Sequence, residues 1–193
     1  MRIKNKIFSY IVREDTGFAP NPFGGYCTLA CCKAEIRKRA NIGDWVIGTT
    51  PAPDVGKVIY AMEITETRLY GGYFEDPEFQ HKKPSPDNIY GDNIYKETSP
   101  GIYQQIGNYF HDASDCTSDL SSGRVLISSN FYYFGDKAPQ IPEECLELVH
   151  STQGYLIRDS GGQVAESFFK WLEQFSPGLN GQPRNQTYDL RTS

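Results

Sequence analysis

Three features are scarce in this sequence, and each scarcity excludes a class of protein. There is no long hydrophobic run near residue 1: positions 1–6 hold two Lys, one Arg and one Asn, and six residues follow before Arg13. This stretch is too short for a signal-peptide apolar region or a membrane span, so we expect a cytoplasmic protein that does not bind membranes. Basic residues are outnumbered, with 19 Lys and Arg against 24 Asp and Glu and a net charge of −5. That balance excludes a surface that binds nucleic acid throughout, because neutralising phosphates requires a surplus of cations.

Paired cysteines are the third scarcity. The chain has five cysteines, an odd number, of which three fall within residues 24–33, and no Cys-x-x-Cys pair occurs. A chain of 193 residues with this pattern does not carry a disulfide framework, so we expect reduced thiols.

Aromatic residues are abundant instead. The chain contains 13 Tyr and 11 Phe, so its core is built largely from rings, which favours a β-rich fold. A length of 193 residues suits one domain with a sizeable core. We therefore predict a single domain over residues 1–193, with 176–193 as an extended or frayed C-terminal arm. The predicted fold class is α+β, with a curved, mostly antiparallel sheet and flanking helices.

The order of elements follows from hydrophobic periodicity and turn residues. Two longer helices are predicted, one from Thr28 to Ala40 with Thr28 as its N-cap, the other over residues 161–175, and a short helix is predicted after the turn that APQIPEEC opens. A strand pair or one bent strand is predicted over residues 124–135. Further strands are predicted over residues 6–13, 42–49 and 57–66. Residues 70–123 have no clear period, but their many aromatic side chains indicate order rather than disorder.

The stretch GGYCTLACCK, residues 24–33, raises three alternatives. Cys27 and Cys31 share a face of the predicted helix, and His81 or His111 would complete a metal site. Cys27 at the helix N-terminus is a candidate nucleophile, because the helix dipole stabilises a thiolate there. The third alternative is simple packing of small apolar side chains.

A loop rich in glycine precedes the same predicted helix. In NPFGGYCT the backbone N–H groups would face an anion at the helix N-terminus. Lys33 and Arg37, one turn apart on one helix face, would add positive charge. The stretch has no Walker or dinucleotide fingerprint, so the alternative is a solvated basic helix face.

Four stretches carry a resemblance to a known family: DTGFAPNPFGGYCTLACCKAEIRKRANIGDWVIGT (15–49), VIYAMEITE, GDNIY (91–95) and LISSNFYYFG (126–135). Together they resemble the nucleotide modification associated domain 2 family over roughly residues 5–145, most specifically over 17–48. The family is linked in phage and bacterial genomes to systems that install or handle hypermodified DNA bases. The resemblance therefore implies a role in DNA modification or phage defence, and names a setting rather than a reaction.

The order of strands and helix is also similar to domains of the PUA, ASCH and EVE kind. That similarity implies a PUA-like pseudo-barrel with a cleft that holds a flipped or modified base against aromatic side chains. Some ASCH-like domains are amidohydrolases with a Thr nucleophile, a Lys and a Glu. Thr28, Lys33 and Glu35 match these residue types here, but their order and spacing do not reproduce that motif.

The preferred interpretation is a protein that binds a nucleotide or a modified nucleobase, free or within DNA, without a metal or cofactor. In this interpretation Arg13, Lys33 and Arg37 hold phosphate or ribose beside Cys27. The predicted base-reading side chains are Asn21, Asp92 and Asn93. The predicted stacking side chains are Tyr26, Tyr95 and Tyr133.

Two other functions stay open at this point. One is an enzyme that acts on a nucleotide or modified base by hydrolysis or group transfer, with Cys27 or Asp92 carrying the chemistry. The other is a protein that captures a small nucleotide signal, which the acidic composition favours over duplex binding.

Overall fold

The computed structural model describes residues 5–185. Within that range the α-helices are α1 (Ala34–Arg39), α2 (Tyr70–Glu75), α3 (Cys116–Leu120) and α4 (Gln163–Leu172). The strands are β1 (Lys6–Ile11), β2 (Cys27–Leu29), β3 (Trp45–Thr49), β4 (Val58–Glu63), β5 (Glu66–Leu69), β6 (Tyr95–Ser99), β7 (Ile102–Gln105), β8 (Arg124–Ser128), β9 (Asn130–Tyr133), β10 (Leu156–Asp159) and β11 (Gly178–Leu179). None of the helices in this range has the length and apolar character needed to cross a bilayer.

The main sheet has six strands in the order β10-β1-β3-β4-β9-β11. Its pairs are antiparallel except for β1 with β3 and β9 with β11. The fold is therefore mixed α/β with mostly antiparallel sheets, and the strands predicted over 6–13, 42–49 and 57–66 are confirmed. Among the described strands no closed barrel is found, so the PUA-like pseudo-barrel stays a prediction.

Side chains alternate across the main sheet and build one core on each face. Phe8 and Val46 belong to one core, whereas their neighbours Ile7 and Ile47 belong to the other. The amphipathic helix predicted over 161–175 is confirmed as α4, which covers the second core.

A second sheet of three strands, in the order β2-β8-β5, packs beside the main one. The predicted strand pair over 124–135 divides between the two sheets, since β8 belongs to the small sheet and β9 to the main sheet. Residues 70–123 are ordered, as their aromatic content predicted, and contribute α2, α3 and a β6–β7 hairpin to a third, ring-rich core.

The predicted start of the first helix is wrong. Thr28 lies in β2, where residues 27–29 pair with 126–128 of β8 and are fully buried. The prediction rests on an apolar stripe of helical spacing that comprises Leu29, Cys32, Ile36 and Ala40. Cys32 and Lys33, however, adopt positive φ angles that end any regular element. The helix therefore begins only at Ala34.

The described part of the predicted C-terminal arm follows α4 along the main sheet. Its strand β11 pairs in parallel with β9, and the Arg184 and Asn185 backbone N–H groups reach Asp15. Residues 186–193 of the predicted arm lie outside the described residues.

Candidate functional site

The turn between β2 and α1 holds Cys32 in an unusual backbone conformation. Cys32 has a φ of 57° and Lys33 a φ of 41°, both in the left-handed region. Each non-glycine residue in that region costs about 1–2 kcal/mol, and two in succession persist only where the surroundings hold them. A strained turn from strand to helix is also how nucleophile elbows expose a side chain.

Cys32, His111 and Asp119 form a chain of side-chain contacts at this turn, called here the triad. The Cys32 Sγ lies 3.4 Å from the His111 Nε2. The other ring nitrogen, Nδ1, lies 2.7 Å from Asp119 Oδ2. Thiol, imidazole and carboxylate in this order are the arrangement of a nucleophile, its base and the group that orients the base.

Charge in the triad favours an imidazolium. Burial opposes protonation of His111, but its bonds to Asp119 and Cys32 raise the imidazole pKa to about 10. Burial favours the neutral form of Asp119 and would raise its pKa. The hydrogen bond and charge of His111 outweigh burial and hold the pKa of Asp119 below its ordinary value. The thiolate is the reactive form of cysteine, and the charged imidazole lies beside the Cys32 sulfur.

Asp119 is held in place by further donors. The Tyr95 hydroxyl donates to Oδ2 at 2.8 Å, and the Cys32 backbone N–H donates to Oδ1 at 2.6 Å. The carboxylate is 2% exposed, so these bonds replace its hydration and fix its orientation. Tyr95, predicted to stack on a base, is instead a buried hydrogen-bond donor to the triad.

Arg37 is fully buried behind the triad, so the prediction that it lies with Lys33 on an exposed helix face is wrong. Its Nε donates to the Cys32 carbonyl at 2.6 Å, and its Nη2 donates to the Asp119 carbonyl at 3.0 Å. Its Nη1 donates to the hydroxyls of Tyr70 and Ser122. The guanidinium thus connects the strained Cys32 peptide to the residue that orients the base.

Two cavities meet at Cys32. The first, of about 260 Å³, is called here the cationic cavity and is lined by Tyr10, Ile11, Val12, Arg13, Glu14, Ala19, Cys32 and Lys33. The second, of about 130 Å³, is called here the aromatic cavity and is lined by Glu14, Thr16, Phe18, Ala19, Cys32, Phe110 and His111. Arg13 and Lys33, two predicted phosphate ligands, therefore lie beside the candidate nucleophile.

A second polar cluster lies in the interior. Lys82 Nζ donates to Asn21 Oδ1 at 2.7 Å and to the Tyr26 carbonyl at 2.8 Å, while Thr28 Oγ1 donates to Asp92 Oδ2 at 2.5 Å. Desolvation lowers the pKa of Lys82 to about 8 and raises that of Asp92. This Lys82–Asp92 cluster ties the loop before β2 to the segment before β6.

The predicted base readers belong to this interior. Asn21, Asp92 and Asn93 are each at most 1% exposed. The amide of Asn21 donates to the Tyr90 carbonyl at 2.6 Å, and that of Asn93 donates to the Tyr73 carbonyl at 2.9 Å. The structure brings these three together but aims their polar groups at the protein itself.

The other predicted site residues are scattered. Cys27 is fully buried in β2 rather than at a helix N-terminus, and desolvation raises the pKa of its thiol to about 12. The Tyr26 hydroxyl donates to Glu78. Tyr133 is buried, and its hydroxyl donates to Asp15.

The glycine-rich loop leads into a strand, so the predicted anion cradle at a helix N-terminus is wrong. Gly24 has a φ of 71°, and the His81 ring packs where a Cβ at Gly24 would lie. The loop instead borders a separate cavity of about 320 Å³ that is also lined by Ser129, Phe131 and Leu179.

The group of residues that could bind a metal differs from the predicted group. Cys31, His111 and Asp119 place ligand atoms within 4.8 Å of one another, and Cys27 is not part of that group. Burial raises the pKa of the Cys31 thiol well above its usual range, and both Asp119 oxygens already accept hydrogen bonds. His111 and Asp119 are therefore engaged in the contacts of the triad, and together with Cys31 they are less suited to bind a cation.

Sequence reasoning missed the triad because its members are far apart in the chain. His111 follows Cys32 by 79 residues, and the helical prediction placed Cys32 on a buried stripe. The adjacent pair of cysteines followed by Lys33 was the only local signal, and it pointed equally to packing.

Together, the fold and the site define a mixed α/β protein with a candidate thiol nucleophile at a strand-to-helix turn. The chain belongs to the nucleotide modification associated domain 2 family, whose model matches residues 4–190. The match confirms the resemblance and extends it beyond residue 145. No curated protein and no solved structure matches the chain. The family description associates the domain with nucleotide modification and names neither a reaction nor a substrate.

Proposed function

We propose that this protein is an enzyme that uses Cys32 to attack a carbonyl group carried by a nucleotide or a modified base. The observation that carries the proposal is the triad: the sulfur lies 3.4 Å from the imidazole, which lies 2.7 Å from a buried carboxylate. This is the enzyme alternative of the sequence analysis, with Cys32 in place of Cys27 or Asp92.

The reaction divides into two steps. The Cys32 thiolate attacks the carbonyl carbon and forms a C–S bond, the C–N or C–O bond to the leaving group breaks, and His111 gives that group its proton. Water then attacks the thioester while neutral His111 takes a proton from it, and the C–S bond breaks to return the thiolate and the imidazolium. An amine in place of water makes the second step a group transfer rather than a hydrolysis.

Asp119 and Arg37 act on this reaction through other groups. Asp119 orients the ring and stabilises its charged form. Arg37 holds the Cys32 carbonyl and so maintains the strained turn. Both are positioning residues, since neither lines the two cavities at Cys32.

The nucleotide part of the proposal rests on the family description and on charge. Arg13 and Lys33 line the cationic cavity beside the sulfur, and two cations are the usual means of holding phosphate oxygens. The acidic chain as a whole favours a free nucleotide over duplex DNA.

The test uses a carbonyl-bearing nucleotide as the probe. Purified protein is incubated with N4-acetyl-2′-deoxycytidine 5′-monophosphate and acid-quenched, and peptide mass spectrometry then locates any acetyl group. We expect an acetyl adduct on Cys32 that is lost in Cys32→Ala and reduced about 100-fold or more in rate in His111→Gln. Cys116, which is also half-buried and free, is the internal control.

A nucleotide-binding protein without turnover is the second candidate, and the cationic cavity is the observation that favours it. In that case a thermal-shift assay with the same probe shows equal stabilisation of the wild type and Cys32→Ala, and no acetyl group appears on Cys32. Acetylation spread equally over Cys32 and Cys116 contradicts the enzyme proposal as well.

A further inference from the structure

The two cavities at Cys32 differ in chemistry and share one boundary. Glu14, Ala19 and Cys32 line both, whereas Arg13 and Lys33 belong only to the cationic cavity and Phe110 and His111 only to the aromatic one. A ligand that spans the boundary passes the sulfur at its middle. Neither cavity alone reaches the roughly 300 Å³ of an ordinary ligand site, so a ligand of nucleotide size must use both.

Arg13 and Lys33 place two positive charges at the cationic cavity. Neither Arg13 nor Lys33 forms an ion pair with any residue in 5–185, whereas Lys38 and Arg39 of α1 both pair with Glu35. Lys33 Nζ lies 4.5 Å from the centre of the Tyr10 ring, which draws the ammonium over the cavity wall. Desolvation lowers the pKa of Lys33, the neighbouring Cys32 sulfur opposes that shift, and the nearby charge of Arg13 adds to it. Two neighbouring cations that repel each other are stabilised by a bound anion.

The aromatic cavity offers ring surfaces beside the triad. Phe18 and Phe110 stack with centroids 4.9 Å apart and planes 25° apart. The His111 ring meets Phe18 edge-on at 4.9 Å. A volume of about 130 Å³ admits a small planar group and excludes a complete nucleotide.

We infer that the substrate is a mononucleotide whose phosphate lies between Arg13 and Lys33 and whose small carbonyl-bearing substituent enters the aromatic cavity. The carbonyl carbon then lies at the boundary, within reach of Cys32 Sγ. Glu14 stands at the same boundary, and its carboxylate repels the phosphate from the aromatic side. This inference rests on the proposed function, because it takes Cys32 as the nucleophile.

Alkylation rates test the charged end without knowledge of the natural substrate. Iodoacetate and iodoacetamide react by the same displacement, in which the thiolate forms a C–S bond and iodide leaves, but only iodoacetate carries a charge. The measured quantity is the ratio of their rates at Cys32, followed by peptide mass spectrometry in the full chain. The variants are Arg13→Gln, Lys33→Gln and the double variant, with Arg39→Gln as the control on the exposed face of α1.

We expect the iodoacetate preference to fall about fivefold for each cation removed, as for one charge interaction near a surface. Glu14→Gln should raise the preference by a similar factor, and Arg39→Gln should leave it unchanged. Inorganic phosphate should slow both reagents in the wild type but not in the double variant. Equal preferences in the wild type and the double variant overturn the inference.

The aromatic end is tested with N-benzyl-iodoacetamide. We expect this reagent to react about fivefold faster than iodoacetamide at Cys32, an advantage of the size expected for one added aromatic contact. Phe110→Leu should slow N-benzyl-iodoacetamide more than iodoacetamide, and so remove the advantage. An advantage that persists in Phe110→Leu overturns this half of the inference.

Failure of the inference and failure of the proposed function give different results. If Cys32 reacts no faster than Cys116 with every reagent, the nucleophile itself is wrong. If Cys32 reacts much faster than Cys116 but shows no preference among the reagents, Cys32 remains the candidate nucleophile. The inference that the substrate occupies both cavities is then wrong.

Discussion

Two buried carboxylates, Asp92 and Asp119, share one kind of hydrogen-bond donor, a tyrosine hydroxyl, and differ in the second side chain that contacts them. Each accepts a hydrogen bond at 2.8 Å from a tyrosine hydroxyl, Asp92 from Tyr73 and Asp119 from Tyr95. Desolvation raises the pKa of Asp92, whereas the contacts of Asp119 outweigh its own desolvation and lower its pKa. The same residue types therefore produce opposite shifts.

The opposite pKa shifts come from the second side chain that contacts each carboxylate. Asp92 accepts its other side-chain bond from Thr28, a neutral hydroxyl in a buried strand, and the Lys82 charge acts on it without direct contact. Asp119 faces His111, which is 12% exposed and reaches Cys32 at the edge of two cavities. A buried carboxylate becomes part of a candidate reaction centre only where an imidazole connects it to a surface that a substrate can reach.

Removal of Arg37 should cost the protein more stability than any other change considered for the two carboxylates. Arg37→Met leaves the Cys32 and Asp119 carbonyl groups without their buried donor and removes the ion pair with Asp119 Oδ1 at 3.5 Å, so we expect a loss of about 3–5 kcal/mol in the free energy of unfolding. Urea denaturation measures the loss, with the exposed Arg39→Met as the control that should change stability by about 0.5 kcal/mol or less. Equal effects of the two variants contradict the role assigned to Arg37.

Removing Lys82 should damage only the interior cluster. Lys82→Met removes the buried ammonium that donates to the Asn21 amide oxygen and to the Tyr26 carbonyl, which we expect to cost about 2–3 kcal/mol. Lys83→Met is the matched neighbour, because Lys83 Nζ only covers the Phe74 ring, and its loss should stay below about 1 kcal/mol. Cys32 alkylation of folded Lys82→Met should equal that of the wild type, and a slower rate would show that the two clusters are coupled.

The two clusters should respond oppositely to pH. The pKa of His111 is raised from 6.5 to about 10 on folding, so its stabilising contribution is complete below about pH 6.5 and is lost as the pH rises through about 10. The pKa of Lys82 is lowered from 10.5 to about 8, so its charge destabilises the folded state below about pH 8 and this cost disappears towards 10.5.

Urea denaturation at about pH 7 and about pH 9.5 separates these contributions. The stability advantage of the wild type over His111→Gln should shrink between the two conditions, and its advantage over Lys82→Met should grow. A change of the same sign for both variants would contradict the assigned protonation states.

Loss of one tyrosine hydroxyl beside each carboxylate should have a small effect on stability, and the two variants form a matched pair. Tyr73→Phe and Tyr95→Phe each remove one hydrogen bond to a buried carboxylate, and each should cost about 1 kcal/mol. Only Tyr95→Phe should slow the reaction of Cys32 with iodoacetamide, because only Asp119 orients a base. If Tyr73→Phe slows that reaction equally, the distinction drawn between the two carboxylates is wrong.

The strands were predictable because their signal is local. Runs such as KIFSYI and VIYAME are apolar and rich in β-branched or aromatic residues, and they form β1 and β4 as expected. The first helix was misjudged because β2 is only three residues long and its register with β8 is set by residues about a hundred positions away. Periodicity within ten residues carries no information about that pairing.

The candidate site was predictable only in part. Arg13 and Lys33 lie beside the candidate nucleophile, whereas Asn21, Asp92 and Asn93 gather in an interior cluster. Polar residues in a loop-rich stretch do not reveal from sequence whether they face a cavity or one another, since that depends on long-range packing. The pairing of Cys32 with His111 is a tertiary contact of the same kind.

The hydrogen bonds that hold Asp15 have a consequence for synthesis on the ribosome. Asp15 Oδ2 accepts from the Arg184 N–H and its carbonyl accepts from the Asn185 N–H, while its neighbours in the chain, Glu14 and Thr16, line the cavities. The members of the triad all emerge about 65 residues before Asn185 does, since the last of them is residue 119. During translation the nucleophile and its base therefore emerge before the C-terminal segment can fasten the loop whose residues line the cavities.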